Sequence, residues 1–123
     1  MSWVKLDDKL PGHRKILAAS PEAAWLHIEG LCYCAQQETD GAIPDTALAM
    51  LTRFSKPKAT KLAARLVEVG LWERNGAGYA IHDYLDYNPS RKELEARREI
   101  KRRAGQAGGL AKQRGKEAGL ADG

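Results

Sequence analysis

The chain has few of the features that mark an enzyme, a metal protein or a membrane protein. It has two cysteines in 123 residues, Cys32 and Cys34. One residue apart on a helix, they point in different directions and cannot readily bridge, which predicts two small buried hydrophobes in a reducing compartment. Two cysteines with that separation are also too few to hold zinc. The three histidines, His13, His27 and His82, are far apart in sequence. No HExxH, phosphate-cradling glycine loop or serine elbow occurs, so the reading is of a non-enzyme with no cofactor and no metal. Asp83 and Asp86 beside Tyr84 and Tyr87 are read as capping or turn residues rather than as an acid pair for catalysis. No apolar run reaches membrane-spanning length and the N-terminus lacks a signal-peptide core, which predicts a cytoplasmic protein, associated with the nucleoid if bound to DNA.

Charge is present, and unevenly placed. Lysine and arginine number 20 against 16 acids, a net charge of +4. Residues 1–88 are close to balanced, with ten basic against eleven acidic side chains, whereas residues 89–123 carry ten against five. Apolar residues show the opposite bias and thin out after residue 88. This divides the chain into a folded domain at 1–88, a basic helix at 89–104, and a flexible, glycine-rich basic tail at 105–123 that holds six of the twelve glycines. An excess of positive charge of this kind favours polyanions, nucleic acid before membrane because the basic stretch lacks a strong apolar face.

Trp3 to Leu6 reads as a short strand or an arm laid on the core, and His13 to Ala19 as a short helix. Ser20-Pro21 places an N-cap and a first-turn proline before a helix running to about Gln37. Its apolar face is assigned to Ala24, Ile28, Leu31 and Ala35, broadened by Trp25 and Cys32, with Gly30 explained by close helix packing and His27 on the helix surface. Trp25 and Trp72 are expected core anchors. A turn at 38–41 leads to a helix capped by Asp45 and ending at Leu51. From Pro57 to Val69, Leu62, Leu66 and Val69 recur at helical spacing until Gly70 ends the run. Leu71 to Arg74 and Tyr79 to His82 flank Asn75-Gly76-Ala77-Gly78, a hairpin pattern. Ser90 and Glu93 make a capping-box pattern for a last helix to Ala104. Helices followed by a hairpin predict a mainly α domain with a small β-hairpin, a winged helix-turn-helix.

In such a fold the second helix of the helix-turn-helix enters the major groove. Here that is the helix at 57–69. Arg53, Lys56, Lys58, Lys61 and Arg65 lie on or just before it, with no acid until Glu68. Lys61 and Arg65 share a face opposite Leu62 and Leu66. Arg65 is the candidate for base reading, because a guanidinium can bond a base edge bidentately. Lys58 and Lys61 are read as backbone positioners, with Ser55 and Thr60 donating to phosphates. Arg74, with His82 as a second candidate, is the wing residue able to reach a phosphate, opposed by Glu73. Lys101, Arg102 and Arg103 are the least neutralised cluster of the basic helix, and would raise affinity for DNA and its salt sensitivity.

The stretches Gly41-Ala42-Ile43-Pro44, Leu71-Trp72, Gly78 to Leu85 and Tyr87-Asn88-Pro89-Ser90-Arg91 resemble small winged-helix proteins of actinobacteria and their phages. They are also similar to the N-terminal domains of phage replisome organisers and replication initiators. The resemblance covers most of residues 1–104 and implies binding of double-stranded DNA in replication or transcription, in a regulatory or accessory role, with a homodimer on a palindromic site as one arrangement. The alternative is an adaptor that uses the same fold to hold a replication or transcription protein without sequence-specific DNA binding.

Overall fold

The structure is a computed structural model and describes residues 3–117, with side chains over 3–106. Its contacts divide the chain after Ser90 into two units. The first is a mainly α-helical domain with a small three-stranded antiparallel sheet. Residues 3–7 form an arm without strand pairing and lead into a turn at Asp8-Lys9. The Lys5 amide donates to Asn88 Oδ1 at 2.9 Å and Val4 packs against the core, so the arm is fastened at both its backbone and its apolar side.

A 3-10 turn at Leu10–Gly12 leads into α1, Arg14–Ala18. His13 caps it, its Nδ1 accepting from the Lys15 amide at 3.1 Å. Helix α2, Pro21–Gln37, starts as the sequence predicts: Ser20 Oγ accepts from the Ala23 amide at 3.0 Å, and Pro21 occupies the first turn where no amide is needed. Its buried face differs from expectation. Ala23, Leu26, His27, Gly30, Leu31 and Cys34 face the core, while Trp25 is 52% exposed and Cys32 lies on the surface. The cause is visible at Gly30, where an added Cβ would stand 2.7 Å from Trp72 Cζ2 and 3.0 Å from Ile43 Cδ1. The sheet, not another helix, presses against the helix there, and it sets the helix's rotation.

That sheet contains a strand missing from the sequence reading. Strand β1, Ala42–Pro44, joins the hairpin of β2, Trp72–Asn75, and β3, Gly78–Ile81, in the order β1-β3-β2. Ile43 pairs with Tyr79, and Arg74 pairs with Tyr79 from the other side. Proline is tolerated in β1 because it is an edge strand. Pro44 also occupies the cap position of α3, Asp45–Leu51, so Asp45 opens the helix rather than capping it.

Helix α4, Lys56–Glu68, follows a tight connection at 52–55. Ala59, Ala63 and Leu66 form its buried stripe, with Leu62 half-buried beside them. The small residues let α4 lie close to α2, the most extensive helix pairing in the domain. Gly70, with φ +86°, then turns the chain toward β2, since only glycine adopts this conformation freely. Trp72, Leu26, Ile43, Leu66 and Cys34 are the largest fully buried side chains, so the centre of the core is shared by α2, α4 and the sheet. A one-turn helix α5, Tyr84–Tyr87, closes the domain and buries Tyr84.

The second unit is a single helix, α6, Arg91–Glu117. It runs past Gly105, where the sequence reading ended it at Ala104 and began a flexible tail. The part of that tail at 118–123 lies outside the described residues. No helix among the described residues is long and apolar enough to cross a membrane.

Candidate nucleic-acid interface

Helix α4 is amphipathic by composition as well as position. Its stripe of alanine and leucine faces α2, and every acid is absent from its first twelve residues, so its outer side is cationic or neutral up to Glu68. Arg53, Ser55, Lys56, Lys58, Thr60 and Lys61 are all exposed. They gather at the start of α4 and in the connection before it, where the free amides of the first turn add partial positive charge.

The structure distinguishes these side chains by their partners. Lys58 pairs with Glu22 of α2 and lies 5.4 Å from the centre of the Phe54 ring. Thr60 Oγ1 donates back to the Lys56 carbonyl at 2.9 Å. Ser55 takes the cap position of α4 without a side-chain bond to the helix, leaving its hydroxyl outward. Arg53, Lys56 and Lys61 have no ion-pair or hydrogen-bond partner among the described residues. Of the basic side chains on or just before α4, these three are the ones whose charge is not met by a neighbour.

Arg65 is placed differently from the others. It is half-buried, its Nη2 donates to the Ala18 carbonyl at 2.6 Å, and its Nη1 pairs with Glu68 at 2.9 Å. The Ala18 carbonyl belongs to the last turn of α1, where intrahelical donors run out. The guanidinium therefore fastens α4 to α1, and its planar donors are engaged within the domain.

Across from the start of α4 stands the hairpin. Arg74 on β2 bonds Asp45 through Nη1 at 3.2 Å and lies 4.4 Å above the Tyr79 ring. Asp45 holds the guanidinium pKa above its ordinary value, so the side chain is a fixed cation. Lys56, Thr60, Arg74, Tyr79, Asp45 and Thr46 line a concavity of about 390 Å³ between α3, α4 and the hairpin. The sequence reading placed Arg74 on the wing but missed Asp45 as its partner, because the pair joins residues 29 apart. The Glu73 carboxylate, expected to oppose a phosphate here, is instead bonded to His82 Nδ1 at 2.7 Å.

On α6, Arg102 and Arg103 both pair with Glu99, the latter at 3.1 Å. Lys101, just before them, has no partner among the described side chains. Arg91 pairs with Glu95 at 3.2 Å. Alternating acids thus offset much of the helix's charge at the i,i+3 and i,i+4 spacings.

His27 is the side chain whose environment the sequence reading most misjudged. It is 5% exposed, and its Nδ1 accepts from Trp72 Nε1 at 3.0 Å. Burial pushes its pKa down to about 4, so the ring is neutral. Among the described residues no group of three or more histidine, cysteine, aspartate or glutamate side chains is placed to hold a metal ion. The chain matches no family model, no curated protein and no solved structure.

Proposed function

We propose that the first unit is a winged helix-turn-helix that binds double-stranded DNA, with α4 as its recognition helix and β2–β3 as its wing. The element order α2-β1-α3-α4-β2-β3 and the strand order β1-β3-β2 support the fold assignment. The observation that carries the function is the exposed ridge of Arg53, Lys56 and Lys61. Three cations without partners among the described residues cluster at one end of a helix whose other face is committed to the core. Such a ridge neutralises phosphates, and cations not already paired gain most from doing so. Arg74, fixed beside the same concavity, supplies the wing contact. Arg53 replaces Arg65 as the guanidinium free to read a base, and α6 adds a sequence-independent contribution through Lys101. The resemblance noted in the sequence sets this activity in phage DNA replication or transcription, in a regulatory or accessory role.

Fluorescence anisotropy of the full chain on duplex DNA across a salt series tests this. Binding should weaken as salt rises, and the double variant Lys56→Gln, Lys61→Gln should reduce the slope of log K against log salt by about 2, since each neutralised phosphate contributes roughly 0.9. An unchanged slope and affinity in that variant would remove α4 from the interface.

The adaptor reading, contact with a replication or transcription protein, is favoured by a different surface. Trp25 and Met50, 52% and 85% exposed, flank an apolar groove between α2 and α3. Loss of partner binding but not DNA binding in Trp25→Lys would assign that function to the groove.

A further inference from the structure

The N-terminal arm, α1, α2 and the residues after β3 line a partly open cavity of about 140 Å³ that shares no lining residue with the concavity at the start of α4. That volume matches a single aromatic ring or a short aliphatic chain. Its apolar lining comes from Leu10, Leu31, Leu71 and Ile81.

Two side-chain donors in this lining, on His27 and Lys15, are available to a ligand. Because Trp72 Nε1–H must donate, Nδ1 of His27 is the acceptor and the neutral ring carries its proton on Nε2. His27 lines the cavity and is 5% exposed, and its Nε2 has no partner among the described residues. Without a protein acceptor among those residues and not fully buried, this N–H opens onto the cavity and can donate to an acceptor brought there. Lys15 is the second donor. It is half-buried, and its Nζ reaches only the Gly70 carbonyl, at 3.3 Å, with no carboxylate partner among the described residues.

Two acids share the lining and are outnumbered by Lys5, Lys9 and Lys15. Asp7 Oδ1 accepts from the Lys9 amide at 2.9 Å, and Asp83 pairs with His82 Nε2 at 3.3 Å. The His82 ring meets Glu73 on its other nitrogen. Lys5 and Lys9 at the rim reinforce the positive sign. An ammonium without a carboxylate partner, a ring N–H open to the cavity and an apolar wall together select a ligand with one negative acceptor group and a small apolar body. A polyanion would leave its further charges against leucine and isoleucine.

We propose that this cavity is a binding site for a small organic monocarboxylate, its carboxylate accepting from His27 Nε2 and Lys15 Nζ and its apolar body lying against Leu31, Leu71 and Ile81. The site stands apart from the α4 ridge and does not depend on DNA binding.

The test is calorimetric titration of the full chain with benzoate and butyrate, with benzamide as the neutral counterpart and inorganic phosphate as the hydrophilic anion. Saturable one-to-one binding of at least one carboxylate is expected, with benzamide and phosphate weaker by roughly tenfold or more, the scale of one lost charge-assisted hydrogen bond. Lys15→Met keeps the aliphatic stem and should weaken the carboxylate by a similar factor while far-UV circular dichroism stays unchanged. Leu10→Trp fills the cavity from its exposed turn and should abolish binding without altering either donor. The proposal is overturned by the absence of saturable heat with both carboxylates, by benzamide binding as well as benzoate, or by undiminished binding in a folded Leu10→Trp protein.

Discussion

Acidification should destabilise this domain chiefly through one residue, His27. Its pKa in the native protein is about 4 against 6.5 for the unperturbed side chain. Below pH 6.5 the unfolded chain takes up a proton at this ring and the native protein does not. Stability therefore falls as the pH falls, from 6.5 until the native ring titrates near 4. At 1.36 kcal/mol per unit, the full window is worth about 3 kcal/mol, and about 2 kcal/mol of it is lost by pH 5, above the range in which ordinary carboxylates titrate. Domains of this size are stable by only about 5–10 kcal/mol, so the loss is a large share of the total. The assay is urea unfolding followed by far-UV circular dichroism at pH 7.5, 6.5, 5.8 and 5. The control is His27→Gln, whose amide oxygen can still accept from Trp72 Nε1. The variant subtracts what other titrating groups contribute. The urea midpoint of the native sequence should drop steeply over this range and that of the variant should drop less, by the equivalent of about one proton. Parallel pH profiles for the two proteins would refute the reasoning, because the acid sensitivity would then belong to other groups.

Gly30→Ala should destabilise by about 1–3 kcal/mol, as its methyl would meet Trp72 and Ile43 inside contact distance, and thermal unfolding reads the loss directly. Arg65→Ala should lower stability by about 1 kcal/mol through the lost bond to Ala18 while leaving DNA affinity nearly unchanged; a large loss of sequence-specific binding would return Arg65 to the interface. Burial pushes the Cys34 thiol from 9.0 to about 11, so the protonated thiol is favoured in the native state and stability should fall as pH rises from 9 toward 11. Cys34→Ala, measured by urea unfolding across that interval, should lack this component.

Elements that carry their own local signals were legible in the sequence. Ser20-Pro21 announced α2 because capping is a property of adjacent residues, and Asn75-Gly76-Ala77-Gly78 announced the hairpin, whose two-residue reversal at Gly76-Ala77 puts Gly76 at φ +57°. What was not legible depends on partners far along the chain. Helix α2 has apolar residues around most of its circumference, so its own pattern did not fix which side faces inward. The contact of Gly30 with Trp72 fixes it, and turns Trp25 outward and His27 inward. Strand β1 is three residues long and ends in proline, too short for alternation to register, and exists by pairing with β3. The end of α6 was misplaced because glycine at 105 was read as a stop, although a helix can continue through one at a cost of about 1 kcal/mol.

The candidate interface was legible as a segment and not as a set of side chains. Five positive residues before the first acid marked the region around α4. Their division into Arg53, Lys56 and Lys61, exposed without partners among the described residues, and Lys58 and Arg65, engaged with Glu22 and Ala18, comes from α2 and α1. A helix periodicity shows which residues share a face but not which of them a neighbouring helix will occupy.

Titration of the ¹⁵N-labelled full chain with duplex DNA, followed by amide chemical shifts, tests the central claim most directly. The account predicts that the largest shifts fall at residues 53–61 and at 74–79, with smaller ones on α6 around Lys101. Shifts confined to α6, or centred on the Trp25 and Met50 surface, would contradict the assignment of α4 as the helix that meets DNA.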